Sequence, residues 1–388
     1  MPSPYTYLDY AASAPVRACA RQALARYNDA AYAGANPNSL HTPGRLARSE
    51  LDIARKMLCA CFHADVKPHE LYFCSGATEA NNWAVRGLAA AMRAKNPHRD
   101  RIIISQVEHD SIFALPRMLT QAGFRVSLAA PDEHGVVTST AVENLLDDDV
   151  ALVSCMYANN ETGIIMPISE IAHAAHDAGA YMHTDAVQAF CHVPLMMSNV
   201  DAVTISAHKI GGYVGIGALM LRRGVHITPL LYGGGQEAAL RSGTQAVCLA
   251  SAFAAAAAEC DLALASSIQT TTALARDVSK QLCDSGMFEP TSDIPYGELR
   301  LPGIVSLTHK SIDAQTLVLQ LDALGFGISS GSACGVAHAA QDGVSHVLVA
   351  QGLSKEQAAR SIRISFDERV SKQDLQRFID SACNIHAR

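Results

Sequence analysis

From about residue 70 to residue 225 the chain alternates short β-branched runs with amphipathic segments, and this rhythm constrains the fold more than any other feature. Residues 71–74, 101–107, 125–129, 151–157, 181–185, 202–206 and 217–221 read as strands, since Val, Ile and aromatic side chains suit a pleated, packed surface. Between them, 79–94, 111–122 and 168–178 read as helices; the last places Ile168, Ile171, Ala172 and Ala175 on one face. Strand, helix, strand at this spacing predicts an α/β fold with a mostly parallel seven-stranded sheet covered on both faces. Ligands of such sheets gather at the carboxyl ends of the strands, so chemistry is sought there.

The rhythm changes after residue 225. Residues 246–264 and 270–285 read as two helices linking the large unit to the C-terminal part of the chain. Segments 304–308, 313–324, 326–329, 362–366 and 372–383 then predict a small α+β domain. Two N-terminal helices, 15–27 and 45–62, are expected to pack on that domain or on a partner subunit. The expected division is 1–14 as an N-terminal segment of the small domain, 15–258 as the large domain and 259–388 as the C-terminal small domain.

A formal net charge of −7 excludes nucleic-acid binding by bulk positive charge. No apolar run approaches the roughly 18 to 20 residues of a membrane span. Residues 1–10 lack a basic segment followed by an apolar one, so a cytoplasmic chain is expected. The 11 cysteines, an odd number spread along a long chain, suit reduced thiols rather than disulfides.

Five places combine chemistry with position. The turn Ser75, Gly76, Ala77, Thr78, Glu79 sits between a strand and a helix, where free N–H groups and the positive dipole end cradle phosphate; alone it reads more often as an ordinary cap. Asp185, at a strand end, can hold a protonated ring nitrogen, with Gln188 one turn on as a donor; it reads equally as an N-cap. Lys209 follows Ser206, Ala207 and His208 and precedes a glycine-rich run, so a desolvated amine there can form an imine with a carbonyl cofactor. Cys334 lies in the small-residue run ISSGSAC, exposed and placed to act, whereas Cys61 with Met57, Leu58 and Phe62 looks like core. His109 follows a strand and is, with the others, a candidate for ring stacking and proton transfer. Cys59, Cys61 and His63 fall on different faces of the expected helix without a second ligand pair, so no metal site is assigned.

The motifs SGATEANN at 75–82, EHDS at 108–111, NNETG at 159–163, HTDAVQ at 183–188, SAHK at 206–209, GGGQE at 233–237, RSGT at 241–244 and SSGSAC at 329–334 occur in one order along nearly the whole chain. In that combination the chain resembles the cysteine desulfurases, pyridoxal 5'-phosphate enzymes of the class V aminotransferase family with fold type I. The SSGSAC form is similar to the group serving iron–sulfur cluster assembly and tRNA thiolation.

The resemblance implies roles residue by residue. Lys209 would bind the cofactor as an imine, Asp185 would pair with its ring nitrogen, and His109 would stack on the ring. Gln188 would donate to the phenolic oxygen, with Asn160 near that oxygen and the substrate carboxylate. Ala77, Thr78, Ser206, His208 and Thr244, the last from the other subunit of a homodimer, would hold the phosphate. Arg363 would bind the substrate carboxylate, and Asn36 lies in a segment similar to the family's active-site NP turn. Cys334 would take sulfur from L-cysteine as a persulfide, releasing L-alanine, then pass it to a sulfur-acceptor or scaffold protein. The run after Lys209, Ile210 to Gly215, lacks the family's usual proline and following lysine. A selenocysteine lyase or another class V lyase is the alternative within enzymes; a non-catalytic relative would be expected to lack Lys209 or Cys334, and both are present.

Overall fold

The computed structural model describes residues 5–64, 66–331 and 344–385. It opens with strand β1 (Thr6–Tyr7) and helices α1 (Ala18–Asn28) and α2 (Thr42–Ala60). The large unit follows as β2 (Leu71–Cys74), α3 (Ala77–Lys95), β3 (Arg101–Ser105), α4 (Asp110–Phe113), α5 (Pro116–Gln121), β4 (Arg125–Ala129), α6 (Ser139–Glu143), β5 (Val150–Ser154), α7 (Ile168–Asp177), β6 (Tyr181–Asp185), β7 (Ala202–Ser206) and β8 (Gly217–Leu221). Helix α8 (Val247–Asp284) leads to β9 (Phe288–Pro290), β10 (Ile304–His309), α9 (Ala314–Ala323), β11 (Phe326–Gly327), β12 (Ser329–Ser330), α10 (His346–Ala350), α11 (Lys355–Ala359), β13 (Ser361–Ser365) and α12 (Lys372–Cys383).

The large sheet has seven strands in the order β2-β8-β7-β6-β5-β3-β4. Pairs β3–β4, β3–β5, β5–β6 and β6–β7 are parallel, while β8 runs antiparallel to β2 and β7. Strands β5, β7 and β8 are buried at every residue, as expected of strands covered on both faces. The second sheet, β12-β13-β10-β9, is antiparallel and carries its own core of Leu307, Leu317, Ile362, Ile364 and Phe378.

Three expectations are corrected by local physics. The helix expected over 111–122 is two helices, α4 and α5, because Pro116 offers no N–H to continue the ladder. The two helices expected at 246–264 and 270–285 are one, α8, of 38 residues, since neither Gly nor Pro interrupts the stretch between them. At 1.5 Å per residue it spans roughly 57 Å; Ala250 to Cys260 join the large core and Leu274 to Leu282 the small one. The segment expected as one strand over 326–329 is split, β11 pairing with β1 and β12 with β13.

Helix α8 is also long and apolar enough, by composition, to cross a membrane, contrary to the sequence expectation. Its contacts are those of a core helix: α1 and α2 pack along it, rather than on the small sheet. His63 is not on α2 at all; it lies past the helix end in a left-handed turn (φ 52°) and bonds Asp261 at 2.6 Å.

His183 on β6 is buried, its Nδ1 2.9 Å from Ser154 Oγ and its Nε2 3.1 Å from Thr204 Oγ1. Burial pushes its pKa down to about 3. An unfolded histidine takes up a proton near pH 6.5, so between there and pH 3 the unfolded chain binds a proton that the folded one refuses, and stability falls as pH drops. Urea unfolding at pH 7 and pH 5 is expected to show His183→Asn losing about 2 kcal/mol less than the parent over that interval; equal losses would remove His183 as the cause.

Candidate active site

The carboxyl ends of β2, β3, β6 and β7 meet the small sheet at one place. At the end of β2, Ser75 donates its N–H to Glu79 Oε2 at 2.8 Å, and Arg241 grips both oxygens of Glu79 at 2.7 and 3.0 Å. The backbone of Gly76 comes so near β8 that a Cβ on Gly217 would sit 2.8 Å from it. Helix α3 therefore starts at Ala77 from a tightly held turn, and Ala77 and Thr78 belong to the first turn, whose N–H groups have no partner within the helix.

Asp185 ends β6. Its Oδ1 accepts from Val187 N at 2.9 Å, capping a turn, while its Oδ2 accepts from Asn81 Nδ2 at 2.6 Å. Asn81 Nδ2 also reaches Ser111 Oγ at 2.9 Å, and Ser111 Oγ lies 2.9 Å from His109 Nδ1. His109 caps α4 by accepting Ser111 N at 3.0 Å on that same Nδ1, which assigns the proton of the neutral ring to Nε2. A line of polar groups thus runs from buried Asp185 through Asn81 and Ser111 to half-buried His109. Glu108, beside it, accepts from Met156 N at 2.7 Å; burial first, then the nearby Asp185 carboxylate, push its pKa well up.

Strand β7 delivers Ser206, His208 and Lys209, the last two on a single 3₁₀ turn, Ala207–Ile210. Gly211 closes that turn at φ 82°, and a Cβ there would meet the Arg17 side chain at 2.7 Å, so this glycine of the atypical run is required by space as well as conformation. Burial, and then the charge of Lys209, lower the His208 pKa to about 4, which keeps the ring neutral. Lys209 Nζ donates to the carbonyls of Ala11 at 2.6 Å and Ala12 at 2.9 Å; Gln188 Nε2 donates to Ala11 O at 3.0 Å.

On the small-domain side, buried Arg363 of β13 bonds Asn160 O at 2.9 Å through Nη1 and Asp9 Oδ1 at 2.7 Å through Nη2. The structure therefore brings together Asp185, His109, Gln188, Lys209, Asn160 and Arg363, drawn from separate elements. Asn36 and Thr244 are exposed and stand outside this bonded set. Their neighbours join through Asn38 Nδ2 to Gln245 Oε1 at 2.9 Å. Cys334 lies outside the described residues.

The residues fit pyridoxal phosphate on one observation. Ser206 Oγ, His208 Nδ1, Asn81 Oδ1, Asn160 Oδ1 and Arg363 Nε are all buried without a partner. Such atoms are costly unless something polar meets them. Their kinds also match: hydroxyl and imidazole beside the α3 N-terminus for a phosphate, a guanidinium for a carboxylate. Among the described residues no group of three His, Cys, Asp or Glu side chains gathers as a metal site.

Asn81, Ser111 and Asp9 are site residues that the sequence alone did not single out. Asn81 carried a usable signal: it occupies the buried stripe of α3 with Ala84, Val85 and Leu88, where a polar side chain needs a partner.

Residues 6–378 match the aminotransferase class-V family. An IscS-like cysteine desulfurase of Mycobacterium tuberculosis is 37% identical over 388 residues, covering 98% of this chain and 94% of that protein. The solved NifS-like protein of Rickettsia africae superposes with a TM-score of 0.84 at 28% identity, covering 97% of this chain and 98% of that one. SspA, solved in complex with cysteine, gives 0.78 at 29% identity, covering 93% and 98%.

Asn81→Leu, close in shape, removes the donor to Asp185. Titrating the apoprotein with pyridoxal phosphate is expected to show about tenfold weaker binding, the worth of one hydrogen bond to a charged group. Unchanged binding would show that Asp185 needs no such support.

Proposed function

We propose, from the premise that the chain belongs to the class V aminotransferase family, that it is a pyridoxal-phosphate-dependent cysteine desulfurase. The observation that carries this is the arrangement of an amine, a carboxylate and a guanidinium (Lys209, Asp185, Arg363) around buried polar atoms that lack partners. The relatives support the substrate: one is named a cysteine desulfurase and another is solved with cysteine bound.

Pyridoxal phosphate, when bound, supplies an aldehyde for the substrate amine and a ring that accepts electrons. The phosphate would be held by the first N–H groups of α3 at Ala77 and Thr78, by Ser206 and His208, and by Thr244 from the other subunit of a homodimer. Asp185, oriented by Asn81, would pair with the ring nitrogen, and His109 would stack on the ring. Gln188 would donate to the phenolic oxygen, with Asn160 near it. Arg363 takes the L-cysteine carboxylate through its unpartnered Nε, and its other nitrogens are already fixed by Asn160 and Asp9, so the fork is pre-set. Asn36, whose segment is similar to the family's NP turn, would contribute to substrate binding. Lys209 Nζ would hold the aldehyde and would serve to move the substrate Cα proton.

The Cys334 thiolate attacks the substrate sulfur. An S–S bond forms, the C–S bond breaks, and the electron pair leaves with the carbon that gains a proton to become the methyl of L-alanine. An ordinary thiol is only a few per cent ionised at pH 7, so a neighbouring proton acceptor would help; His109 would serve by releasing Ser111 N from its Nδ1. The persulfide then passes to an acceptor or scaffold protein for iron–sulfur assembly or tRNA thiolation in the cytoplasm. In this reading 1–14 and 259–388 form the small domain around the large one at 15–258.

Incubation with L-cysteine followed by peptide mass spectrometry is expected to show one extra sulfur on the peptide holding Cys334. Cys334→Ala should release sulfur from cysteine at least about 100-fold more slowly while keeping the yellow absorbance of the holoenzyme. Full activity in that variant would instead favour a selenocysteine lyase or another class V lyase. Sedimentation is expected at twice the mass of the chain.

A further inference from the structure

Glu161 is a buried carboxyl, next to Asn160, that the desulfurase reaction leaves unused. It stands between two things the reaction must bring together. On one side is Arg363, whose guanidinium bonds the carbonyl of Asn160. On the other are two described residues that flank the stretch carrying Cys334, Gly331 before it and Ser345, next to Val344, after it. Ser345, at its far end, donates Oγ–H to Glu161 Oε2 at 2.6 Å, while the same Oγ accepts Leu348 N at 3.2 Å as the cap of α10. Gly331, at its near end, is so close that a Cβ there would lie 3.3 Å from Glu161 Oε2. One carboxyl oxygen therefore meets both ends.

We propose that Glu161 is a positioning residue for sulfur transfer: by gripping Ser345 beside Gly331 it fixes where the Cys334 stretch leaves and rejoins the body, in register with the carboxylate site at Arg363. The inference rests on the desulfurase reading and adds to it a determinant of where the sulfur nucleophile is held.

The charge of Glu161 sets the strength of the grip. Burial raises its pKa to about 7; the Ser345 hydroxyl on α10 and the Arg363 guanidinium on β13 pull it down, and the Asp110 carboxylate on α4 pushes it up. Above that pH the Ser345 hydroxyl donates to a carboxylate, a charge-assisted bond about twice as strong as a neutral one. Below it the carboxyl is neutral and holds Ser345 no better than an amide would.

The test compares holoenzyme with Glu161→Gln and Ser345→Ala, reading the single-turnover rate of persulfide formation on Cys334 by mass spectrometry from pH 6 to pH 8. At pH 8 Glu161→Gln is expected to be about tenfold slower than the parent, and at pH 6 within about twofold. L-alanine binding, followed by absorbance, should stay unchanged, since Arg363 keeps its own partners. Ser345→Ala should be slow at both pH values, and the double variant no slower than Ser345→Ala alone. A parent-to-variant ratio that is flat with pH, additive effects, or equal loss of L-alanine binding would overturn the proposal. Parent enzyme that forms no persulfide on Cys334 would overturn the desulfurase reading as well, and so separates the two failures.

Discussion

One stretch, residues 9–17, is bonded to both halves of the site, the amine side on the large sheet and the guanidinium side on the small one. Asp9 holds Arg363, the Ala11 carbonyl receives both Gln188 and Lys209, and Ala11 N donates to Ser365 Oγ at 2.9 Å. Arg17, almost fully buried, ends the stretch: it donates to Ile210 O at 3.0 Å and pairs with Glu259 at 3.0 Å on α8 and Glu368 at 2.8 Å past β13. The large sheet supplies Lys209 and Gln188, and the small sheet supplies Arg363 and Ser365. The stretch that reads as plain N-terminal chain is what sets their separation. A buried guanidinium with several acidic partners is costly to break, since removing one side leaves charge without compensation. The amine turn at Ala207–Ile210 is therefore fixed from behind by Arg17 and from in front by Ala11 and Ala12, and its spacing from Arg363 is held by the same few residues.

Much of this was legible in the sequence because it is periodic or local. The strands ending at Cys74, Asp185 and Ser206 announce themselves as short strand-forming runs, buried in the fold but for Tyr72 and Tyr181, and the chemistry follows each strand end directly. The phosphate turn and the amine turn sit within a few residues of those ends. Where reading failed, the missing information was either a single breaker or its absence: Pro116 splits one expected helix, and the lack of any Gly or Pro after Leu264 fuses two. The partners that tune the site are a different case. Asn81 meets Asp185 across 104 positions and Asp9 meets Arg363 across 354, so neither pairing leaves a spacing that a pattern can carry. Only the polarity of Asn81 within an apolar stripe betrayed that it had a distant partner.

Electrostatics decides which carboxyl does what. Asp185 has two N–H donors, from Val187 and Asn81, while Glu108 has one, from Met156, and its second oxygen is buried with none. Burial and the nearby Asp185 carboxylate raise the Glu108 pKa, and its single donor does little to offset them. The network thus gathers donors on the carboxylate at the strand end where a cationic ring nitrogen would lie. His208 and His183, both held neutral by burial, add no positive charge that would compete for it.

The phosphate turn has its own distant support, and it is strained. Glu237, Ala238 and Ala239 follow one another at φ 48°, 57° and 64°, the left-handed region that costs side-chain-bearing residues of order 1 kcal/mol or more each. Such a turn persists only if its surroundings over-determine it. Glu237 supplies that: Arg55 binds both its oxygens at 2.8 Å, and Phe73 N on β2 donates to it at 2.8 Å. The turn so held leads into Arg241, which grips Glu79, which in turn accepts Ser75 N at the start of the phosphate cradle. The same segment continues to Thr244. Strain at 237–239 is thus tied by one chain of charged contacts to the end of β2, where two glycine backbones already leave no room for adjustment, and the cradle is fixed before any ligand arrives.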